Sequence, residues 1–148
     1  GIPKPSYRAF QLLSLLKGNR LQVEVEEESP TVDCTASADE EGITILLSNH
    51  QIPKSPIEAE KVTISINGIK GVKSAVLQRI DETHANPKRA WLEMGAPMYL
   101  NKEQIHDLIK ASELKDETLN ISIDEDGAKA EVLIQPHSVI AIRLIPEK

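Results

Sequence analysis

The sequence predicts a mainly β fold: an antiparallel β-sandwich of about eight short strands, with an inserted helix–loop–helix and a leading N-terminal helix. Three observations predict it. After residue 19 apolar and polar residues alternate over most of the chain, the pattern of a strand with one buried face. Clusters of Gly, Asp and Asn punctuate those runs at hairpin spacing. The period turns helical at the N-terminus and again at about 82–114. At 148 residues with 40% hydrophobic composition, the chain fits one globular domain and can bury a core without disulfides or metal.

Pro5 suits the first turn of a helix, where a missing N–H costs nothing. Tyr7, Phe10, Leu13 and Leu16 then recur at three-residue steps, and Leu12 and Leu15 widen the stripe. Gly18-Asn19 is the stop signal. So wide an apolar face must pack on something. Leu21, Val23 and Val25 alternate as a half-buried strand, which Glu26-Glu27-Glu28-Ser29-Pro30 ends. Val32, Cys34 and Ala36 alternate again. Asp39-Glu40-Glu41-Gly42 is a hairpin turn, with Gly42 able to take positive φ. A short apolar strand follows over Ile43–Leu47, then a polar loop from Ser48 to Pro56. Val62, Ile64 and Ile66 form the next strand, up to Asn67-Gly68, and another spans Val72 to Ile80.

The first inserted helix covers about Pro87 to Met94 and is closed by Gly95. The second opens at Asn101, a good N-cap, and presents Ile105, Leu108 and Ile109. Leu119, Ile121 and Ile123 then form one strand to the turn at Asp124–Gly127, followed by strands at Ala130–Ile134 and Val139–Ile145. The insertion thus precedes the last three strands.

Composition excludes several classes. Seventeen Lys+Arg against 23 Asp+Glu give a net charge of −6, the wrong sign for a phosphate-backbone binder, so no nucleic-acid partner is expected. No apolar run nears the roughly 20 residues that span a bilayer, so no membrane partner is expected. One Cys, Cys34, excludes an internal disulfide and a Cys-based zinc site. His50, His84, His106 and His137 lack metal-ligand spacing. Phosphate-loop and nucleophile-elbow patterns are missing too, so no cofactor, metal or catalytic residue is assigned. The densest polar cluster, Asp81-Glu82-Thr83-His84, could orient an imidazole for acid–base work; capping the following helix is the commoner use of such residues. With 3% aromatic residues, none of them on a strand, no sheet face offers a flat platform for sugar rings.

From residue 79 the sequence is recognisable. Arg79-Ile80-Asp81-Glu82-Thr83-His84-Ala85-Asn86-Pro87 leads to Arg89-Ala90-Trp91-Leu92-Glu93-Met94-Gly95-Ala96-Pro97, and Asn101-Lys102-Glu103-Gln104-Ile105 opens the second helix. This resembles the C-terminal β-sandwich of the glycoside hydrolase family that contains β-xylosidases and α-L-iduronidases, family 39. Lys4–Leu13 is similar to the last helix of that family's catalytic barrel, and Pro136-His137-Ser138-Val139 to the turn into its final strand. The resemblance covers essentially the whole chain.

It implies a parent that is a retaining glycosidase with two catalytic glutamates on a barrel. The family's Asn-Glu-Pro context is absent here, and a barrel needs about 200 residues or more, so no catalytic residue carries over. Residues 1–19 would be the closing helix of a catalytic TIM barrel of the same protein, and 20–148 the sandwich. The expected function is that of a non-catalytic accessory domain packing against and supporting the barrel. The alternatives are an independent carbohydrate-binding module and a free-standing enzyme. Asp81, His84, Arg89, Trp91 and Met94 are the expected barrel-facing residues. The leading helix is expected either to fold back on the sandwich or to form a homodimer. Gly1-Ile2-Pro3-Lys4-Pro5 has no starting Met, as expected of a cloning scar or a cut from a longer protein. The parent's compartment is left open among periplasmic, secreted and cytoplasmic, with periplasmic or secreted the expectation.

Overall fold

The computed structural model describes residues 1–147. Among them lie two antiparallel sheets and three helices. The elements run α1 (Pro5–Leu13), β1 (Asn19–Arg20), β2 (Val32–Ala38), β3 (Ile43–Asn49), β4 (Glu60–Asn67), β5 (Val72–Ile80), α2 (Pro87–Glu93), α3 (Lys102–Ala111), β6 (Glu117–Thr118), β7 (Ser122–Ile123), β8 (Gly127–Ile134) and β9 (Ser138–Pro146). The larger sheet has the order β1-β2-β3-β9-β5-β6, and the smaller the order β4-β8-β7. The mainly β sandwich expected from the sequence is the fold, with nine strand segments among the described residues.

The two sheets meet over one core, as the alternation dictates. Ile45 and Leu47 of β3, Leu77 of β5, and Ile140 and Ile142 of β9 face Val132 and Ile134 of β8. Half-buried Val62, Ile64 and Ile66 of β4 pack around them. The opposite face of the larger sheet carries a second cluster, in which Leu12 of α1 sits fully buried against Ile80, Ala85 and Ala141. The leading helix therefore folds back on the sandwich within this chain.

Several elements depart from their sequence pattern, each for a physical reason. The alternation at Leu21–Val25 yields no strand: Leu21 N–H reaches Ala36 O at 2.9 Å, but past it no strand pairs with the segment among the described residues, and Val23 and Val25 are exposed. The expected strand at Leu119–Ile123 splits. Glu117–Thr118 pairs with β5 in the larger sheet, whereas Ser122–Ile123 pairs with β8 in the smaller one, so the segment crosses between layers and the insertion precedes four strand segments. Gly42 is not at positive φ. It is required because a Cβ there would meet Leu144 O at 2.3 Å, where β3 and β9 approach. Gly18 is the left-handed residue, at φ 76°, and abuts Ala38 O. α1 ends at Leu13, and Leu15 and Leu16 tighten into i→i−3 bonds instead.

Candidate functional site

The β5–α2 loop is organised by one carboxylate. Asp81 is buried, and its Oδ1 accepts the Thr83 and His84 amides at 2.8 and 2.9 Å and the Thr83 hydroxyl at 3.1 Å. The His84 Nδ1 lies 2.8 and 2.9 Å from the two carboxylate oxygens. Burial pushes the Asp81 carboxyl up. The hydrogen bonds from His84 and Thr83, together with the charge interaction with His84, outweigh that push and hold it below the usual carboxylate range. Next in the chain, Ala85 is buried with φ 51°, a left-handed conformation that a non-glycine residue holds only under constraint from its surroundings. Asn86 Oδ1 then caps α2 by accepting Lys88 N–H at 3.2 Å.

Trp91 is half-buried, and its Nε1–H donates to Pro97 O at 3.0 Å across the turn that joins α2 to α3. Met94 is half-buried at the C-terminal end of α2. Arg89 is exposed and pairs with Glu93 on its own helix at 3.0 Å, a contact worth only about 0.3–0.5 kcal/mol. The structure thus brings Asp81 and His84 together. Among the described residues no hydrogen bond links that pair to Arg89, Trp91 or Met94. An imidazole oriented by a buried carboxylate is half of an acid–base constellation. The other half, a nucleophile at the far ring nitrogen, has no hydrogen-bonded candidate among the described residues. The arrangement fixes the loop and presents the His84 ring, whose side chain is 44% exposed.

The outer face of the larger sheet also holds an open groove of about 340 Å³, between the end of α1 and the β2–β3 turn. Arg143 of β9 stands in it, with Nη1–H donating to Thr44 at 2.7 Å and Nη2–H to Asp39 at 2.9 Å and to Glu41 at 3.2 Å. The guanidinium holds the Asp39 carboxyl below the usual range, against a smaller push from burial, with help from the Gly42 and Glu41 amides. A general acid needs its pKa raised toward neutrality, so Asp39 is tuned the wrong way. No aromatic side chain lines the groove. Arg143 does not stand out in the sequence, because an outward Arg on a strand reads as solvated surface, and its partners Asp39 and Glu41 stand out there only as turn residues.

Two further features escape sequence reasoning. His50 and His137, far apart in the chain, meet edge-to-face with ring centroids 6.2 Å apart. Met98 and Tyr99 between α2 and α3 are each 86% exposed; their only sequence signal is an apolar pair in a stretch with no helical or strand period.

Fold and site together define a two-layer β-sandwich carrying a helical arm, with carboxylates committed to turns and ion pairs. The chain belongs to the glycosyl hydrolases family 39, whose sequence pattern it matches over residues 1–129. It is 49% identical over 145 residues to a β-xylosidase of Caldicellulosiruptor saccharolyticus, an alignment that covers 97% of this chain and 30% of that protein. The fold is similar to that of a monomeric β-xylosidase from Caulobacter crescentus CB15, with a TM-score of 0.76 at 18% identity over 100% of this chain and 32% of that one. It is also similar to a bacterial orthologue of human α-L-iduronidase, with a TM-score of 0.82 at 20% identity over 99% of this chain and 28% of that one. The chain spans about a third of the length of the relatives it matches.

Proposed function

We propose that this chain is the non-catalytic C-terminal accessory domain of a retaining glycoside hydrolase of the β-xylosidase type, packed against and supporting the catalytic barrel of the same protein. One observation carries the reading: α1 is apolar on two sides. Leu12 is fully buried on the sandwich, while Tyr7, Phe10 and Leu13 are 54%, 71% and 49% exposed. A helix solvated on its far side keeps that side polar; a helix shared between two bodies does not. In this reading Tyr7, Phe10 and Leu13 form the barrel-facing stripe. Asp81 and Trp91 work within the chain to fix the insertion, and His84, Arg89 and Met94 remain candidates for contact with the barrel. The 49% identity to a β-xylosidase supports that activity for the parent.

The test uses Tyr7→Ser with Phe10→Ser, in this chain alone and in the full-length parent. Exposed sites tolerate such changes within about 0.5 kcal/mol, so the isolated chain should melt almost unchanged. In the parent each ring would leave a buried interface, with a loss of about 1.5–3 kcal/mol. Wild-type parent should cleave an aryl β-xyloside, and the isolated chain should not. Equal melting of parent and double variant would remove α1 from any interface, and cleavage by the chain alone would overturn the accessory role.

A further inference from the structure

We propose that His50 and His137 form a two-imidazole site for a divalent transition-metal ion, which clips together two chain segments that cross between the sheets at one end of the sandwich. The site lies wholly within this chain and does not depend on the accessory-domain reading. Spacing along the sequence speaks only to ligands that share a helix or loop; here the fold joins two that do not. Strands β3 and β9 pair antiparallel, and Asn49 opposite Ser138 is the last pair of their register. His50 and His137 stand one step beyond it, where opposed residues share a face. Their ring centroids are 6.2 Å apart, with the ring planes at 79°, and both residues are exposed.

With metal–nitrogen bonds of about 2 Å, each ring centroid lies about 3 Å from the ion, so two ligating rings stand up to about 6 Å apart. The observed pair is at that limit, and rotation of two exposed side chains brings the nitrogens onto one ion. The backbone beneath is already fixed. His50 N–H donates to Thr31 O at 2.8 Å, and Ser138 Oγ donates to Gln135 O across the other turn. His137 is left-handed at φ 53°, a conformation that glycine would hold without strain, so the turn carries its imidazole at a backbone cost. Residues 50–59 lead from the larger sheet to the smaller, and residues 135–137 lead back. Fully buried Asn49 already ties these crossings on the core side, with Nδ2–H donating to Glu58 O at 2.8 Å and to Ile134 O at 3.3 Å. An ion on the two rings ties them on the solvent side. Imidazole nitrogens suit Cu2+, Ni2+ and Zn2+, and not Mg2+ or Ca2+, which take oxygen ligands. Among the described residues no group of three or more His, Cys, Asp or Glu gathers as a metal site, so water completes the coordination.

The test titrates Ni2+ into this chain by calorimetry at neutral pH, beside His50→Ala, His137→Ala and the control His106→Ala. Wild type and His106→Ala should bind a single ion with equal affinity. His50→Ala and His137→Ala should each bind it about 10- to 100-fold more weakly, as expected when one of two linked ligands is lost. The melting temperature of wild type should rise by about 5–10 °C once Ni2+ is in about 100-fold excess over its Kd, and should not rise in Mg2+. In the unaltered chain the ring resonances of His50 and His137 should broaden together at substoichiometric Ni2+, ahead of those of His84 and His106, a readout that needs no variant to fold. Equal binding by all four proteins, weakening in only one of the two variants, or broadening of one ring without the other overturns the proposal, and the rings are then a packed pair alone.

Discussion

Asp81 joins three neighbours through one carboxylate: it closes the loop after β5, holds the His84 ring, and keeps Ala85 in a conformation that costs about 1–2 kcal/mol. An amide in its place offers one acceptor oxygen and turns an NH2 group toward donors. Asp81→Asn should therefore destabilise the isolated chain by about 1–3 kcal/mol, measured by urea unfolding, and should broaden the His84 ring resonances as the imidazole loses its partner. Unchanged stability would mean that packing on Leu12, and not the carboxylate, sets the loop. The cluster was legible in the sequence as a group of polar residues before a helix. An oriented imidazole was one reading of that cluster, but which side chain holds the His84 ring was not legible: a three-residue separation in a loop leaves side-chain direction undetermined until Ala85 turns left-handed. Trp91 and Met94 illustrate the converse, since a Trp and a Met on one short helix read equally as surface or anchor until Pro97 O supplies the indole's partner.

At the scale of elements, α1 separates what a pattern can say from what packing decides. Its apolar positions form one wide stripe in the sequence, yet Leu12 is fully buried and its neighbour Leu13 is 49% exposed. Leu12→Ala should cost about 2–5 kcal/mol in this chain, as expected for a fully buried Leu, while Leu13→Ala should stay within about 0.5 kcal/mol. Thermal or urea unfolding of the two variants checks this, and similar losses at both sites would place α1 differently on the sheet. Strands β2, β4 and β8 were readable from their alternation, and β3, β5 and β9 from apolar runs bounded by turn chemistry; each spans seven to nine residues. The stretches Leu21–Val25 and Leu119–Ile123 alternate as well. Whether an alternating segment becomes a strand depends on a partner distant in sequence, and there the partner is missing or changes from one sheet to the other.

For the molecule as a whole, three carboxylates tie turns to their surroundings, and all three sit below the ordinary range. Burial pushes the Asp81 carboxyl up, but its bonds from His84 and Thr83 prevail. Arg143 lowers Asp39 and so links the β2–β3 turn to β9. The Lys129 ammonium at 2.7 Å lowers Asp124, helped by the Asp126 and Gly127 amides in the turn before β8. A carboxyl whose folded pKa is depressed binds its proton at higher pH in the unfolded chain. Its contribution is fully present above the unfolded value, near 3.9, and is lost as pH falls through the folded one. The three turns should therefore weaken together in acid. The melting temperature should hold steady from pH 7 to about 5 and fall progressively below about pH 4. Asp81→Asn should melt lower than wild type at neutral pH and lose less on acidification, because that site no longer takes up a proton on unfolding. Melts recorded from pH 7 to 2.5 on both proteins check the sign. Parallel curves would mean that the Asp81 carboxyl titrates alike in the folded and unfolded chain, and that the acid sensitivity lies with Asp39 and Asp124 at the other turns.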